Sequence, residues 1–381
     1  MTDSARPSPE PIAGLDQQEA YWKKKLDGAP AALELPTDRP RPAVMSHRGA
    51  VHPFTIENAG ALNALNGLSQ TEGATLYMTL LAAFDVLLAR YSGQDDFVIG
   101  SPIANRQHQA TEPLIGFFVN TLCMRADSSG NPSFRAFLRK VKETALEAYA
   151  HQDLPFEKLV EALNPERSAA RSPLYQVMFA LQKASDGGGT FAPGLTFEGL
   201  GGQTVQAKLD LTVALSENEG RLEGVIEYAT DLFDRETIAR MAGHFQKLLD
   251  AIAKNPDEKI GALEMLGEAE RQKLLVEWNA TKRDYPRDQS IHALFLAQAK
   301  KTPDAVAVVF EDQTLRYRAL DERSNQLARY LQKRGVGPET LVAICVERSA
   351  EMVVSLLAIL KAGGAYVPVD PKYPQARIAH I

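Results

Sequence analysis

The chain has 381 residues, of which 45% are hydrophobic and 24% are charged, and its formal net charge is −6 at pH 7. This length predicts two or three domains, and the composition is typical of a soluble globular protein with enough apolar side chains for real cores. Because Lys and Arg are not in excess over Asp and Glu, little positive charge is left to neutralise phosphates, which argues against a nucleic-acid partner.

Two further classes of protein are excluded. The cysteines Cys123 and Cys345 are too few and too far apart for a disulfide framework or a cysteine-based zinc site. The first residues lack the apolar core of a signal peptide, and no run of about 18 apolar residues predicts a membrane span. We therefore expect a cytoplasmic protein without a membrane partner.

Residues 1–45 predict one short helix, 16–27, followed by an extended strap. The prolines Pro36, Pro40 and Pro42 forbid a helix in the strap. A solvated tail would expose several large apolar side chains, so we expect this segment to pack on another surface. These side chains are Tyr21, Trp22, Leu26, Leu33 and Leu35.

Residues 45–255 predict one mixed α/β domain. Strands are predicted at 52–56, 96–103 and 173–181, a deeply buried helix at 75–91, and an amphipathic helix at 133–151 with Leu146 on its apolar face. Alternating apolar residues over 210–230 predict a hairpin with Asn218 and Gly220 in its turn. Asp234 is the predicted N-cap of a helix that ends near Lys254.

The rest of the chain predicts a linker and the start of a second α/β unit. Residues 256–286 are polar, with Leu263, Leu266, Leu274, Leu275 and Trp278 expected to lie on neighbouring surfaces. A hairpin at 306–320, a helix ending at Gly335, and a strand, helix and strand over 341–369 predict a doubly wound sheet with a parallel pair. So few strands rarely form a complete domain, so we expect the C-terminus to be a truncation.

Six segments, in order, resemble the signatures of nonribosomal peptide synthetases. IGFFVNTLCMR (115–125), HQDLPFE (151–157) and RSAARSPL (167–174) resemble three signatures of the condensation domain, with Ala169 and Ala170 as looser matches in the third. ERQKLLVEWNATKRDYP (270–286) resembles the link between condensation and adenylation domains. LRYRALDERSNQLARYL (315–331) and LKAGGAYVPVDPKYPQARI (360–378) resemble the first two adenylation signatures.

This resemblance implies the fold class and the division into domains. The fold implied is the C-terminal lobe of a chloramphenicol-acetyltransferase-like condensation domain, a linker, and the opening of a doubly wound adenylation domain. Residues 1–44 would be a crossover segment that follows a missing N-terminal condensation lobe, and 45–255 the C-terminal lobe. Residues 256–286 would be the linker and 287–381 a truncated adenylation domain.

The family's catalytic motifs are absent from the sequence. Its HHxxxDG motif needs two adjacent histidines, and no two of the seven histidines here are adjacent. The ATP-binding motifs of adenylation domains are missing as well. The parent module implied would join carrier-bound aminoacyl and peptidyl thioesters and activate an amino acid with ATP and Mg²⁺, with phosphopantetheine on its carrier domains. We expect this chain alone to be inactive and to bind no cofactor or metal.

Two other functions are considered. A non-catalytic remnant would serve at most as a binding surface for a carrier domain, with the basic side chains of the 133–151 helix as contacts: Arg135, Arg139, Lys140 and Lys142. A stand-alone acyltransferase of the chloramphenicol-acetyltransferase type would also need HHxxxDG, and it would leave the adenylation segment unexplained.

The resemblance marks nine residues as tunnel-lining or structural, and none as catalytic: Gly116, Asn120, Thr121, Arg125, His151, Gln152, Asp153, Arg167 and Asp210. Asn120 lies in an apolar run and needs hydrogen-bond partners if buried, so it either lines the tunnel or satisfies backbone groups at a strand end. His151 and Asp153 suggest a base and its orienter, but we favour a corner between two helices in which Asp153 is a cap.

The predicted ion pairs and glycines have structural interpretations. Asp210 is expected to pair with Lys208, or with an arginine such as Arg167 or Arg171. Lys361 precedes two glycines that superficially resemble a phosphate cradle, but the order of residues is wrong for one, so the glycines are expected to end a helix.

Overall fold

The computed structural model describes residues 14–106, 111, 114–166, 168–183, 205–218 and 221–381. The chain divides into two compact units, Met1–Asn279 and Ala280–Ile381, and each is described by itself.

The described part of the first unit is a mixed α/β structure. Its helices are α1 (Leu15–Leu26), α2 (Ala59–Thr71), α3 (Leu76–Ser92), α4 (Phe134–Ala150), α5 (Phe156–Leu163), α6 (Arg235–Lys254) and α7 (Glu268–Gln272), followed by a π-helical turn, Lys273–Glu277. Its strands are β1 (Arg48–Ile56), β2 (Asp96–Ile103), β3 (Asn120–Asp127), β4 (Val177–Lys183), β5 (Val205–Gln206), β6 (Leu211–Asn218) and β7 (Arg221–Ala229).

Within the described residues, these strands form one seven-stranded sheet in the order β3-β2-β4-β6-β7-β1-β5. Strand β4 runs parallel to both β2 and β6, whereas the other pairs are antiparallel. The predicted hairpin is confirmed, because β6 and β7 pair from Leu211 with Tyr228 to Asn218 with Arg221. Gly220, predicted in its turn, lies outside the described residues. The strand predicted at 173 starts later, at Val177, because Leu174 adopts a positive φ of 67°.

The core lies between the sheet and its helices. Residues of α3 from Met78 to Leu88 are buried without interruption, as its apolar composition predicts. Helix α6 buries the predicted face from Ile238 to Ile252. Leu146 of α4 is an exception, since it is 50% exposed although the periodicity placed it on the apolar face. Helix α2 was not predicted from the sequence. Asn58 is its N-cap, and the Asn58 side chain accepts from the Ala61 N–H.

The strap packs on the lobe, which confirms that the N-terminal segment is not a solvated tail. Leu33 and Leu35 are buried, and the Leu33 N–H donates to the Gln176 side chain. Asp234 is the N-cap residue of α6, as predicted, but its side chain makes no capping hydrogen bond. The start of α6 is bound instead by Asp38 of the strap. The Asp38 carboxylate accepts from the Asp234 N–H at 2.7 Å and from the Thr237 hydroxyl at 2.9 Å.

The segment after α6 is only partly docked. Leu263 is buried, as expected, and Ile260 is buried beside it. The expectation is wrong for Leu275 and Trp278, whose side chains are 57% and 64% exposed.

The second unit contains a hairpin and a parallel strand pair. Its elements are α8 (Ile291–Lys301), β8 (Val306–Phe310), β9 (Gln313–Arg316), α9 (Tyr317–Lys333), β10 (Leu341–Ile344), α10 (Ala350–Ala362), β11 (Ala365–Pro368) and α11 (Gln375–His380). Strands β8 and β9 are antiparallel, and β10 and β11 are parallel, as predicted. Gly363, in the left-handed region at φ 92°, ends α10.

No single helix in the described ranges is long and apolar enough to cross a membrane; α2 and α3 pass that test only as a pair, and they are bent by 108°.

Candidate functional site

Asn120, the first residue of β3, lies at the centre of the candidate site. Its Nδ2 donates to the carbonyl oxygens of Gln152 and Leu154, at 2.9 Å each. Its Oδ1 accepts from the N–H of Phe156 at 3.0 Å and from the N–H of Thr121 at 2.9 Å. Both ends of the buried amide are therefore used to hold the chain between α4 and α5.

His151–Phe156 is a corner between two helices, and it is called the corner below. His151 is the C-cap of α4, and its Nδ1 lies 2.8 Å from the Glu147 carbonyl oxygen. Pro155 is the N-cap of α5, which has no side-chain cap. The prediction that Asp153 caps a helix is therefore wrong for α5. The Asp153 carboxylate accepts from Gln18 Nε2 at 3.1 Å, while the His151 ring contacts the Glu147 carbonyl oxygen, as the predicted corner between two helices allows.

Helix α1 binds to this corner. Gln18 accepts from the Leu154 N–H at 2.9 Å through Oε1, while its Nε2 contacts Asp153. The Trp22 indole donates to the His151 carbonyl oxygen at 2.8 Å, and the Tyr21 ring stacks on the His151 ring with centroids 3.8 Å apart. Burial, and then the neighbouring Glu147, raise the pKa of Tyr21, so its hydroxyl stays protonated and donates to that carboxylate.

Arg125 of β3 holds the other end of α1. Its guanidinium donates to both oxygens of Asp96, at 2.8 and 2.6 Å, and the hydrogen bond to Asp96 raises the pKa of Arg125. The remaining Nη1 donates to the carbonyl oxygens of Lys25 and Asp27, at 3.0 and 2.8 Å. A cation at the C-terminus of a helix is also favoured by the helix dipole.

Asp210 is buried in an ion pair, but its partner is Arg41 of the strap rather than Lys208, Arg167 or Arg171. Arg41 contacts both carboxylate oxygens of Asp210, one of them at 2.9 Å, and this hydrogen bonding raises the pKa of Arg41. Arg171 pairs instead with Glu34, also from the strap. Arg167 lies outside the described residues.

The segment before Asn120 is the most exposed apolar part of the candidate site. Ile115 and Phe117 are fully or almost fully exposed. A Cβ on Gly116 would lie 2.9 Å from the Phe118 ring, so this position needs a glycine or a shifted ring. Thr121 is half-buried and lies near Tyr175. Lining of a tunnel by Gly116, Asn120 and Thr121 remains a prediction.

Profiles of two known protein families match the chain. The profile of the condensation domain matches residues 12–275. The chain belongs to the condensation-domain family. The profile of the AMP-binding enzymes matches the residues that follow, 295–381.

The chain is homologous to nonribosomal peptide synthetases. It is 52% identical over 376 residues to a linear gramicidin synthase protein of Brevibacillus parabrevis, and the match covers 96% of this chain and 5% of that protein. It is 48% identical over 374 residues to chondramide synthase cmdD of Chondromyces crocatus, where the match covers 97% and 10%. The chain thus spans a tenth or less of the length of these curated relatives.

Solved structures agree with this assignment. The crystal structure of holo-AB3403, a four-domain nonribosomal peptide synthetase bound to AMP and glycine, matches with a TM-score of 0.76 and 28% identity, over 97% of this chain and 29% of that chain. The X-domain in its complex with OxyB from teicoplanin biosynthesis matches with a TM-score of 0.62 and 32% identity, over 67% and 56%.

The basic side chains of α4 in this condensation lobe are already paired. Arg135 contacts Glu72 and Asp257, and Arg139 contacts Glu72, whose pKa is lowered by hydrogen bonds from Arg139 and then Arg135. Lys140 pairs with Asp127, and Lys142 donates to the Glu72 carbonyl oxygen. Little free positive charge is therefore left on this face for an acidic carrier domain.

Lys361, in the AMP-binding segment, holds two helices together. Its Nζ donates to Asp321 Oδ1 at 2.6 Å, Ser324 Oγ at 2.7 Å and Asn325 Oδ1 at 2.9 Å, all on α9. The Lys361 ammonium therefore links α10 to α9, which is a structural role and not that of a phosphate-binding lysine.

The residues that join α1 to the corner and the strap to Asp210 were not predicted from the sequence. Gln18 and Arg41 give no signal of their own in the sequence, whereas Tyr21 and Trp22 were noted as apolar side chains in need of a surface. The described residues contain no group of three or more His, Cys, Asp or Glu side chains that could hold a metal ion.

Proposed function

We propose that this chain is part of a cytoplasmic nonribosomal peptide synthetase, and that its condensation lobe forms one side of the site that joins carrier-bound aminoacyl and peptidyl thioesters. In that reaction the acceptor amine attacks the thioester carbon, the C–N bond forms, the C–S bond breaks, and the carrier thiol leaves with the proton lost by the amine. Because the thioester is already activated, holding the two reactants together supplies much of the acceleration.

One observation supports this proposal: the motif side chains hold other parts of the lobe in place. Both ends of the Asn120 amide form hydrogen bonds with the corner. Arg125 forms hydrogen bonds with Asp96 and with the end of α1. The ion pairs of Arg125 with Asp96 and of Asp210 with Arg41 join parts of the lobe to each other. A lobe built in this way orients its neighbours and needs a catalytic or positioning histidine from elsewhere.

We propose that this histidine belongs to an HHxxxDG motif on a preceding condensation lobe. The proposed extents are 1–44 for the crossover segment, 45–255 for the lobe, 256–286 for the linker and 287–381 for the adenylation segment. The parent module would use ATP with Mg²⁺ to activate an amino acid, and phosphopantetheine on carrier domains to hold it.

A condensation assay tests this proposal. Loaded donor and acceptor carriers are mixed with the chain alone, with the chain fused behind an N-terminal condensation lobe that carries HHxxxDG, and with the same fusion lacking the second histidine of the motif. We expect peptide only from the intact fusion. Peptide from the chain alone at the rate of the fusion would contradict the need for a second lobe. A folded fusion that forms no peptide would contradict the condensation role of this lobe.

A further inference from the structure

Three side chains from three helices are joined by hydrogen bonds where the middle of the linker meets the lobe, and the proposed function uses none of them. The Tyr91 hydroxyl, near the end of α3, lies 2.6 Å from Nδ1 of His244 in α6. The Nε2 of His244 lies 2.6 Å from Oε2 of Glu270 in α7. His244 is buried, whereas the Glu270 side chain is 31% exposed.

The hydrogen bonds among Tyr91, His244 and Glu270 can form whether His244 is neutral or charged. Burial raises the pKa of Tyr91 to about 12, so its hydroxyl is protonated near neutrality and donates to a neutral Nδ1. Nε2 then carries the hydrogen that Glu270 accepts. If His244 is charged, Nδ1 donates to the Tyr91 oxygen and Nε2 still donates to Glu270. The nearby charges that act on Tyr91 are those of Arg240 and Glu270.

Helix α7 is too short to be stable by itself. It has five residues, none buried, and no side-chain cap, and so short a helix is unstable without external contacts. The chain before it is anchored by buried Leu263, whose carbonyl oxygen accepts from Arg90 next to Tyr91. In the chain after it, the side chains of Leu275, Val276 and Trp278 are each slightly more than half exposed. Among the described residues up to Asn279, Glu270 is the last whose side chain hydrogen-bonds to the lobe.

We propose that Tyr91, His244 and Glu270 form a latch that ends the docked part of the linker. When the latch is closed, α7 is fixed on the lobe, and the free chain starts just after Glu270. When it opens, α7 and the π-helical turn are released, and the free chain starts just after Met265, which packs against the core. Each released residue adds up to about 3.5 Å of reach to the segment that follows. The latch therefore sets how far the next segment can extend from the condensation lobe.

Hydrogen exchange and limited trypsin digestion of the full chain test this proposal. Arg271 and Lys273 are trypsin sites directly after Glu270. The variant Glu270→Ala removes the latch, and Glu268→Ala, two positions away on the same helix and exposed, is the matched control. Tyr91→Phe keeps the ring and removes only the hydroxyl that faces Nδ1.

We expect Glu270→Ala to speed amide exchange over 264–272 and cleavage at Arg271 by about ten- to a hundredfold, the loss typical of a hydrogen bond to a charged group. Tyr91→Phe should give a smaller increase in the same residues, and Glu268→Ala none. Equal behaviour of Glu270→Ala and Glu268→Ala would overturn the proposal. So would a uniform increase of exchange across α3 and α6, since this would show a role in the stability of the whole lobe. An unchanged Tyr91→Phe would remove Tyr91 from the latch.

Discussion

The Trp22 indole nitrogen and the His151 carbonyl oxygen lie 2.8 Å apart, although 129 positions separate the two residues in the sequence. This hydrogen bond joins the first described helix to the corner between α4 and α5. The motif residues at the corner act here largely through their backbone: the carbonyl oxygens of His151, Gln152 and Leu154 are all acceptors.

Substitutions at Trp22 should separate the hydrogen bond from the packing. Trp22→Phe removes the indole N–H and should lower the free energy of unfolding by about 1 kcal/mol. Trp22→Ala also empties a buried site and should cost about 3–5 kcal/mol. Urea unfolding measures both, with Lys24→Ala, at an exposed position of α1, as the control. An effect of Trp22→Ala no larger than that of Lys24→Ala would show that α1 is not docked.

Asn120→Asp should destabilise the corner although the side chain keeps its size. An ionised carboxylate still accepts from the N–H groups of Phe156 and Thr121, but it cannot donate to the carbonyl oxygens of Gln152 and Leu154. We expect a loss of about 3 kcal/mol in the free energy of unfolding, because two carbonyl groups lose their donor. Denaturant unfolding measures it against Asn63→Asp, an exposed position of α2. Equal losses in the two variants would refute the central role of Asn120.

Breaking the pair of Arg41 and Asp210 should cost more than breaking the exposed pair of Arg39 and Asp234. Arg41→Met leaves the Asp210 carboxylate, 2% exposed, without its cation and should cost about 3 kcal/mol. Adding Asp210→Asn should recover part of this loss, because the unpaired charge is then gone. Arg39→Met is the matched control, and it should cost much less, since the side chains of Arg39 and Asp234 are both about half exposed. A double variant no more stable than Arg41→Met would contradict the explanation.

Asp85 should make the lobe less stable as the pH rises. It is buried in α3, its Oδ1 has no hydrogen-bond partner among the residues that the structure describes, and burial raises the pKa of its carboxyl well above the ordinary value. The folded state therefore binds this proton more tightly than the unfolded state. The resulting stability is fully present below about pH 4, the ordinary pKa of an aspartate, and is lost as the pH rises toward the folded-state pKa.

The variant Asp85→Asn carries no titrating group, so its advantage over the parent should be small at pH 4. It should then grow by up to about 1.4 kcal/mol for each pH unit until the folded-state pKa is reached. Thermal or urea unfolding from pH 4 to pH 8 measures this difference, with the exposed Glu143→Gln as the control. A difference that does not change with pH would mean that Asp85 is ionised in the folded lobe.

Periodicity predicted the parts of the fold in which one element has one buried face. The faces of α3 and α6 and the alternation in β6 and β7 follow from spacing alone, because burial in these elements is decided locally. Sequence periodicity could not assign Leu146, because whether a position on the apolar face is covered depends on what packs opposite. It also missed α2, whose boundary is marked mainly by the Asn58 cap.

The candidate site was harder to predict, since its contacts join residues far apart in the chain. The need of Asn120 for partners was visible in the apolar run around it, but their identity was not. Asp210 was correctly expected to form an ion pair, yet its partner lies in the strap, 169 positions away. Local spacing favours a near neighbour such as Lys208, whereas the fold brings Arg41 of the strap to Asp210.

The strap also determines the order in which the lobe can assemble. Asp38 caps α6 through Asp234, and these two residues are 196 positions apart. At ribosomal rates of about 5–20 residues per second, the strap waits roughly 10–40 s before the helix it caps has been made. Until then the contacts of Asp38 with α6 cannot form, so this end of the strap has no partner in the growing chain. Contacts of such long range also slow folding, and the last step to complete should be the closure of the strap over the sheet.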